Sequence, residues 1–152
     1  MKQVIIYTDG SSRGNPGPGG YGIILEWDGH KRELSEGFIQ TTNNRMELLA
    51  VIVSLESLKR TPMDVVIYSD SKYVVDSVEK KWVFEWEKKS FKKKKNSDLW
   101  KRFLKVYRNH NVNFHWIKGH NHHPENERCD FIAVKASNNH NLLVDKGYIE
   151  NE

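Results

Sequence analysis

Four acidic residues stand where the chain changes direction or a helix begins. Asp9 and Asp70 close two short apolar runs, VIIYTD and DVVIYSD, whereas Glu47 and Asp130 lie near the beginning of two longer segments with helical spacing. Carboxylates that meet in one crevice repel one another unless a cation neutralises them. Oxygen ligands of this kind suit Mg²⁺ or Mn²⁺ better than Zn²⁺. Two such ions can activate a water and stabilise the leaving oxygen of a phosphodiester.

Each acid also has a plain structural explanation. Asp9, which a glycine follows, fits a turn, and Asp70 fits a helix N-cap. The stretch NRME, which ends at Glu47, fits a capping box. Asp130 fits a solvated acid near the positive end of a helix dipole. Spacing alone leaves both interpretations open.

The elements that must position these acids alternate between strands and helices. Apolar, β-branched runs predict a strand from about Val4, two strands joined by the hairpin dipeptide Asp28-Gly29, and two more at DVVIYSD and VNFHWIKGH. Helical spacing predicts helices at TTNNRMELLAVIVSLESLKR, which ends by Thr61-Pro62, at SKYVVDSVEKKW, at NSDLWKRFLKVYRNH and at NERCDFIAVKASNNH. We therefore expect one α/β domain with a five-stranded mixed sheet. Its first three strands are antiparallel, the fourth and fifth parallel, and helices cover both faces.

Composition narrows the class of protein. The 152 residues contain one cysteine, no apolar run near the roughly 20 residues of a membrane helix, and no signal-peptide pattern. We expect a cytoplasmic protein without a membrane partner. The net charge is +4, but EKKWVFEWEKKSFKKKK, residues 79–95, holds eight lysines and three glutamates. A basic segment on a nearly neutral body predicts an anionic polymer as partner.

The glycine-rich stretch GNPGPGGYG resembles a phosphate-binding loop only superficially. It lacks the GK[ST] ending, and the strand-like run IILEW follows it in place of a helix. We expect a tight connection between two strands that lets a nucleic-acid backbone come close.

Five blocks of sequence resemble bacterial ribonuclease HI, of the type 1 ribonuclease H family. They are YTDGSSRGNPGPGGYG, TTNNRMEL, YSDSKYV, DLW and WIKGHNHHPENERCD, in this order, and the resemblance runs from Val4 to about Ala136. It implies a ribonuclease H-like fold as a single catalytic domain over residues 1–152. A basic handle at about 79–96 and a short C-terminal tail from about 141 belong to this domain. The implied activity is endonucleolytic cleavage of the RNA strand of RNA–DNA hybrids, with 5′-phosphate and 3′-hydroxyl products.

The resemblance also implies the roles of single residues. Asp9, Glu47, Asp70 and Asp130 would hold two Mg²⁺ ions, with Mn²⁺ able to substitute, and Asp9 would bridge the two ions. His120 matches a loop histidine that assists proton transfer or product release, and a histidine can do either near neutral pH.

Substrate contacts follow from the same blocks. Thr42 and Asn96 match residues that bind a phosphate of the DNA strand. Asn15, Asn43 and Asn44 match positions facing the minor groove, where the 2′-hydroxyl distinguishes RNA from DNA. Turn and cap chemistry is the alternative explanation for these asparagines.

The handle would lean on the DNA strand. Lysines such as Lys88 and Lys89 would contact phosphates without sequence preference, while Tyr73 and Trp82 would pack against sugars and bases. Two further tryptophans are expected to pack in the core: Trp86 and Trp100.

Three rival functions remain open. His120, His122, His123 and Cys129 offer zinc ligands, although their spacing is unusual for a zinc site. The fold could serve a non-catalytic module that binds hybrids or duplexes, or a related nuclease that cuts DNA. No spare apolar stripe is evident, so we expect a monomer without an obligatory protein partner.

Overall fold

The computed structural model describes residues 3–119 and 121–148. Within these ranges, five strands and five helices follow one another: β1 (Gln3–Ser12), β2 (Gly17–Trp27), β3 (His30–Thr41), α1 (Asn43–Glu56), β4 (Asp64–Ser69), α2 (Lys72–Glu79), α3 (Trp82–Lys88), α4 (Ser97–Tyr107), β5 (Asn111–Trp116) and α5 (Pro124–Ser137).

The strands form one mixed sheet in the order β3-β2-β1-β4-β5. The pairs β1–β2 and β2–β3 are antiparallel, whereas β1–β4 and β4–β5 are parallel. Asp28 and Gly29 both have positive φ between β2 and β3, as a two-residue hairpin turn requires. The predicted fold class is confirmed.

Helices cover the two faces of the sheet. A Cβ on Gly10 would clash with the backbone of α1, whereas one on Gly22 would clash with the backbone of α5. Because Gly22 pairs with Asp9, and neighbouring residues of a strand point to opposite faces, α1 and α5 lie on opposite sides. Asp9 therefore points to the face that carries α5. The main core lies on the other face, where α1 packs between the sheet and α4.

The helix α1 ends earlier than expected, and the next helical segment is divided in two. The helix α1 ends at Glu56, five residues before Thr61-Pro62. The segment after Ser71 forms two short helices, α2 and α3, and Lys81 between them has a φ of 65°. No helix of the described residues is long and apolar enough to cross a membrane.

The C-terminal tail packs against the domain. The backbone N–H of Ile39 donates to the Leu143 carbonyl, and the N–H of Leu143 donates to the Gly37 carbonyl, both at 2.9 Å. The tail thus adds one parallel bridge, between Phe38 and Leu143, to the edge of the sheet beside β3.

Candidate active site

Three carboxylates meet at the carboxyl ends of the two central parallel strands. Asp9 belongs to β1, Asp70 directly follows β4, and Glu47 projects from the first turns of α1. One oxygen of each lies within 4.8 Å of the others. Among the described residues, no other group of three acidic, histidine or cysteine side chains has such spacing. A set of oxygen ligands of this kind can hold a divalent cation.

Strand register and one glycine explain why these acids meet. Asp9 and Asp70 each lie one residue beyond the last pair of the β1–β4 ladder, so they lie side by side where these two strands stop pairing. Gly10 lets α1 approach, because a Cβ there would clash with the backbone at Glu47. The close approach of helix to strand end brings the third carboxylate to the other two.

Burial and the charges of neighbouring carboxylates raise the pKa values of Asp9 and Glu47. Asp9 is only 8% exposed. Burial, then the charges of Asp70 and Asp130, raise its pKa to about 9, despite a hydrogen bond of 2.9 Å from the next backbone N–H. Burial and Asp70 raise the pKa of Glu47 to about 7, while a hydrogen bond from Ser71 opposes this shift. A bound cation would relieve this repulsion.

Asp130 approaches the cluster from α5, which lies on the face of the sheet opposite α1. Its charge raises the pKa of Asp9, but it does not belong to the group of three within 4.8 Å. One turn earlier, and so on the same side of α5, Asn126 is almost fully buried. Its Nδ2 has no hydrogen-bond partner among the described residues. No pattern in the sequence singled out Asn126, since asparagine in the first turn of a helix is not distinctive.

The plain structural explanations of three acids are wrong. Asp9 lies inside β1, where it pairs with β2, and not in a turn. The N-cap of α1 is Thr42, so NRME is no capping box and Glu47 no capping residue. The N-cap of α2 is Ser71, not Asp70. In both caps, the hydroxyl oxygen accepts a first-turn backbone N–H at 3.2 Å, as an N-cap side chain does.

The glycine-rich stretch has two roles. Residues 13–16 connect β1 to β2, and Gly14 has a φ of 77°, which confirms the expected strand connection. Further along, a Cβ on Gly20 or Gly22 would clash with backbone carbonyl oxygens of α5. These two glycines therefore allow the close packing of α5 on β2.

The asparagines tie the loop after β1 to the start of α1. The Oδ1 of Asn15 accepts the backbone N–H of Asn43 at 3.1 Å, and the Oδ1 of Asn43 accepts that of Ser12 at 2.7 Å. Both side chains, and that of Asn44, are exposed. The turn and cap chemistry considered from the sequence is thus present for Asn15 and Asn43.

A buried arginine, which sequence analysis missed, lies behind Thr42 and Asn96. Arg45 is 1% exposed in the first turn of α1 and bonds the carboxylates of Asp98 and Asp145. It also donates to Oδ1 of Asn96 at 3.3 Å. A cation in the first turn opposes the helix dipole, which is the one sequence signal that could have singled it out.

The handle is anchored by aromatic rings. Trp100 is fully buried, and Trp86 packs on it edge-on with ring centroids 5.7 Å apart, which confirms their assignment to the core. Trp82 is 45% exposed. Lys88 and Lys89 are exposed, as are the other six lysines of residues 79–95.

Tyr73 differs from Trp82 in its surroundings. Its hydroxyl accepts hydrogen bonds from Asn96 Nδ2 at 3.0 Å and from Trp100 Nε1 at 2.9 Å. Its polar end therefore faces the protein.

The described residues do not form the zinc site considered from the sequence. His120 lies outside the described residues. Cys129 is buried, and its Sγ donates to the Tyr7 carbonyl at 3.4 Å. Burial, aided by the charge of Asp9, raises the pKa of this thiol and disfavours the thiolate that zinc requires.

The strand order and the carboxylates at the ends of β1 and β4 define the ribonuclease H-like class of α/β proteins. Residues 1–138 match the sequence model of the family described as RNase H. The chain is 52% identical to Ribonuclease H of Desulforamulus reducens over 150 residues, 95% of this chain and 94% of that protein. It is 50% identical to Ribonuclease H of Proteus mirabilis over 156 residues, covering 99% and 96%. The chain belongs to the ribonuclease H family.

Solved structures agree with this membership. LC9-RNase H1, described as a type 1 RNase H with the type 2 active-site motif, superposes with a TM-score of 0.82 at 33% identity, covering 90% of this chain and 72% of that chain. LC11-RNase H1, solved in complex with an RNA/DNA hybrid, superposes with a TM-score of 0.65 at 29% identity, covering 88% and 95%.

Proposed function

We propose that this protein is an endonuclease that hydrolyses the RNA strand of RNA–DNA hybrids, leaving 5′-phosphate and 3′-hydroxyl ends. The carboxylate cluster of Asp9, Glu47 and Asp70 at the strand ends carries the proposal, in a chain of the ribonuclease H family. The hybrid complex of LC11-RNase H1 supports the choice of substrate.

The cluster fits a magnesium site, since its ligands are oxygens only. Burial, and then the charges of neighbouring carboxylates, raise the pKa values of Asp9 and Glu47, and a cation would relieve both effects. Asp9, Glu47 and Asp70, joined by Asp130, would hold two Mg²⁺ ions or, in their place, Mn²⁺, with Asp9 between the two. Bound ions of this kind activate a water and stabilise the departing 3′ oxygen. Asp9 must lose its proton to serve as a ligand, so protons compete with the cation. A hydrogen bond from the Ser71 hydroxyl favours the charged form of Glu47, the form that binds a cation.

His120 is assigned to proton transfer or product release, as the sequence resemblance implies. His120→Ala separates the two roles when single-turnover and steady-state rates are compared. A fall confined to the steady-state rate excludes proton donation and supports product release.

The two strands of the hybrid would meet different residues. Asn15, Asn43 and Asn44 are exposed at the same loop and helix start, and their amides would read 2′-hydroxyls of the RNA strand. Asn15 Oδ1 accepts the backbone N–H of Asn43, and Asn43 Oδ1 accepts that of Ser12. These bonds support the role, because they order both side chains before substrate arrives. Thr42 and Asn96 would bind a phosphate of the DNA strand.

The handle, residues 79–96, would follow the DNA strand. Lys88 and Lys89 would contact phosphates, and their exposure supports this. Trp82 would stack on sugars or bases. Tyr73 would contact the strand with its ring, because its hydroxyl is already hydrogen-bonded within the protein.

A cleavage assay on three duplexes tests the proposal. We expect cleavage of the RNA strand in an RNA–DNA hybrid with Mg²⁺, none after chelation, and none by Asp9→Asn. Binding of the hybrid without cleavage would establish a non-catalytic module. Cleavage of an all-DNA duplex would establish a DNA nuclease, and cleavage of an all-RNA duplex would contradict the assigned substrate.

The quaternary state and location are part of the proposal. We infer a monomeric, cytoplasmic protein whose single catalytic domain needs no obligatory partner. Light scattering on the purified chain, at concentrations that give full activity, tests the first point.

A further inference from the structure

A buried ionic network joins the C-terminal tail to the two residues assigned to the DNA strand. We propose that Asp145 is a positioning residue for the DNA-strand phosphate: it holds Arg45, which in turn holds Thr42 and Asn96. The C-terminal tail, residues 141–148, thereby sets the affinity for the DNA strand. This inference rests on the proposed function of Thr42 and Asn96.

Arg45 uses all five of its N–H donors. Nη1 and Nη2 donate to the two carboxylate oxygens of Asp98 at 2.9 and 2.7 Å. Nε and Nη2 donate to the two oxygens of Asp145 at 2.7 and 2.9 Å. The remaining N–H of Nη1 reaches Asn96 at 3.3 Å. A guanidinium bonded in two forks has one orientation, so its partners are fixed as well.

The same arginine contacts both residues of the assigned phosphate site. Its side chain bonds Oδ1 of Asn96, while its backbone N–H bonds Oγ1 of Thr42 at 3.2 Å. The Nδ2 of Asn96 is held from the opposite side by the Tyr73 hydroxyl at 3.0 Å. Asn96 also has a φ of 63°, which leaves its position dependent on such side-chain contacts. Arg45 is thus the link between the two polar groups.

Asp145 is well placed to anchor this link. Its side chain is 6% exposed, whereas that of Asp98 is 44% exposed. Its Oδ2 also accepts the hydroxyl of Thr41 at 2.7 Å, and the tail around it pairs with β3. Gly147 follows in close contact, since a Cβ there would clash with Asp98 and Arg45. The tail therefore supplies Asp145, the more buried of the two carboxylates that neutralise Arg45.

Loss of the Asp145 charge would leave Arg45 with one anionic partner at the unfavourable end of a helix dipole. A buried guanidinium with an incomplete set of acceptors moves toward water or toward any anion nearby. Either movement displaces the contact with Asn96, so the phosphate site loses its geometry while the carboxylate cluster keeps its own.

Steady-state cleavage by Asp145→Asn tests the positioning role. The substrates are a series of hybrids, each with one uncharged methylphosphonate in the DNA strand, at a different position in each hybrid. For the wild type, we expect KM to rise at one position. For Asp145→Asn, we expect KM on the unmodified hybrid to rise about tenfold or more, the loss typical of a hydrogen bond to a charged group, with kcat within about twofold of wild type. The methylphosphonate at the sensitive position should then have no further effect.

Leu55→Ala, a core change at the far end of α1, controls for lost stability, with all rates measured well below each variant's Tm. Its KM and its sensitivity to the methylphosphonate should match the wild type. Arg45→Lys, which keeps the charge but not the two forks, should reproduce the Asp145→Asn pattern. The positioning role is wrong, and the phosphate site stands, in either of two outcomes. In the first, the effects of Asp145→Asn and of the methylphosphonate on KM multiply. In the second, KM of Asp145→Asn is unchanged or lower. A wild type insensitive at every position overturns the assigned phosphate site together with this inference.

Discussion

Asp9→Asn should stabilise the metal-free protein while abolishing cleavage. The substitution keeps the shape of the side chain and removes its charge. Burial and the neighbouring carboxylates raise the pKa of Asp9 from its ordinary value of 3.8 to about 9, so the native state binds this proton more tightly than the unfolded chain. The stability contributed by Asp9 is complete below pH 3.8 and is lost as the pH rises toward 9.

The magnitude follows from the same values. Between pH 3.8 and pH 7 the unfolded chain releases the proton and the native state keeps it. Each pH unit then lowers the free energy of unfolding by about 1.4 kcal/mol, which amounts to about 4 kcal/mol at pH 7 as an upper limit. Asparagine, which resembles the protonated acid, avoids this loss. Even half of the limit raises Tm by about 4–8 °C in a domain of this size.

Urea unfolding in the presence of a chelator measures the effect. The difference between Asp9→Asn and wild type should be largest near pH 7–9 and should vanish as the pH falls toward 4. Added Mg²⁺ should stabilise the wild type and not the variant, because only the wild type has the complete ligand set. Asp76→Asn, the same substitution beside Lys80, is the control and should change stability by less than about 0.5 kcal/mol. An Asp9→Asn protein less stable than wild type at pH 7 without metal would refute the repulsion in the cluster.

Three further predictions concern other residues. Ser71→Ala removes the N-cap of α2 and a hydrogen bond to Glu47. Urea titration should show that the free energy of unfolding falls by about 1 kcal/mol, and cleavage should need more Mg²⁺. An unchanged Mg²⁺ dependence would contradict the role of the bond to Glu47. Gly119→Ala places a Cβ 2.7 Å from Oδ2 of Asp70. We expect kcat to fall on the order of tenfold or more, while the circular dichroism spectrum stays native. A wild-type kcat would show that the loop moves to accommodate the Cβ. Lys88→Ala with Lys89→Ala should lower the slope of log binding constant against log salt by about 1 per lost phosphate contact; an equal slope would remove these lysines from the interface.

Local patterns predicted the strands, the helices and the acids at their ends. Asp28-Gly29 specifies a hairpin turn by its own backbone preferences, and the two β-branched runs that precede Asp9 and Asp70 specify strands by theirs. Because parallel neighbours end at the same edge, their acids could be expected to meet before any coordinates were known.

Tertiary structure decided which of several equivalent residues does each task. Thr42, Asn43 and Asn44 can all cap a helix, and only the path of the chain makes Thr42 the N-cap. Gly20 and Gly22 look like loop residues until α5 packs on them.

The ionic network of Arg45 depends entirely on the fold. Its carboxylate partners, Asp98 and Asp145, lie 53 and 100 positions away along the chain. No local pattern links them, since a buried ion pair is chosen by the packing that excludes water from it. The sequence by itself determined the elements and placed two acids, Asp9 and Asp70, at the ends of neighbouring strands, because these depend on short-range preferences and strand direction. The packing of α1 on Gly10 brought Glu47 to them. Only the tertiary structure decided how the tail, α4 and α1 share one buried charge.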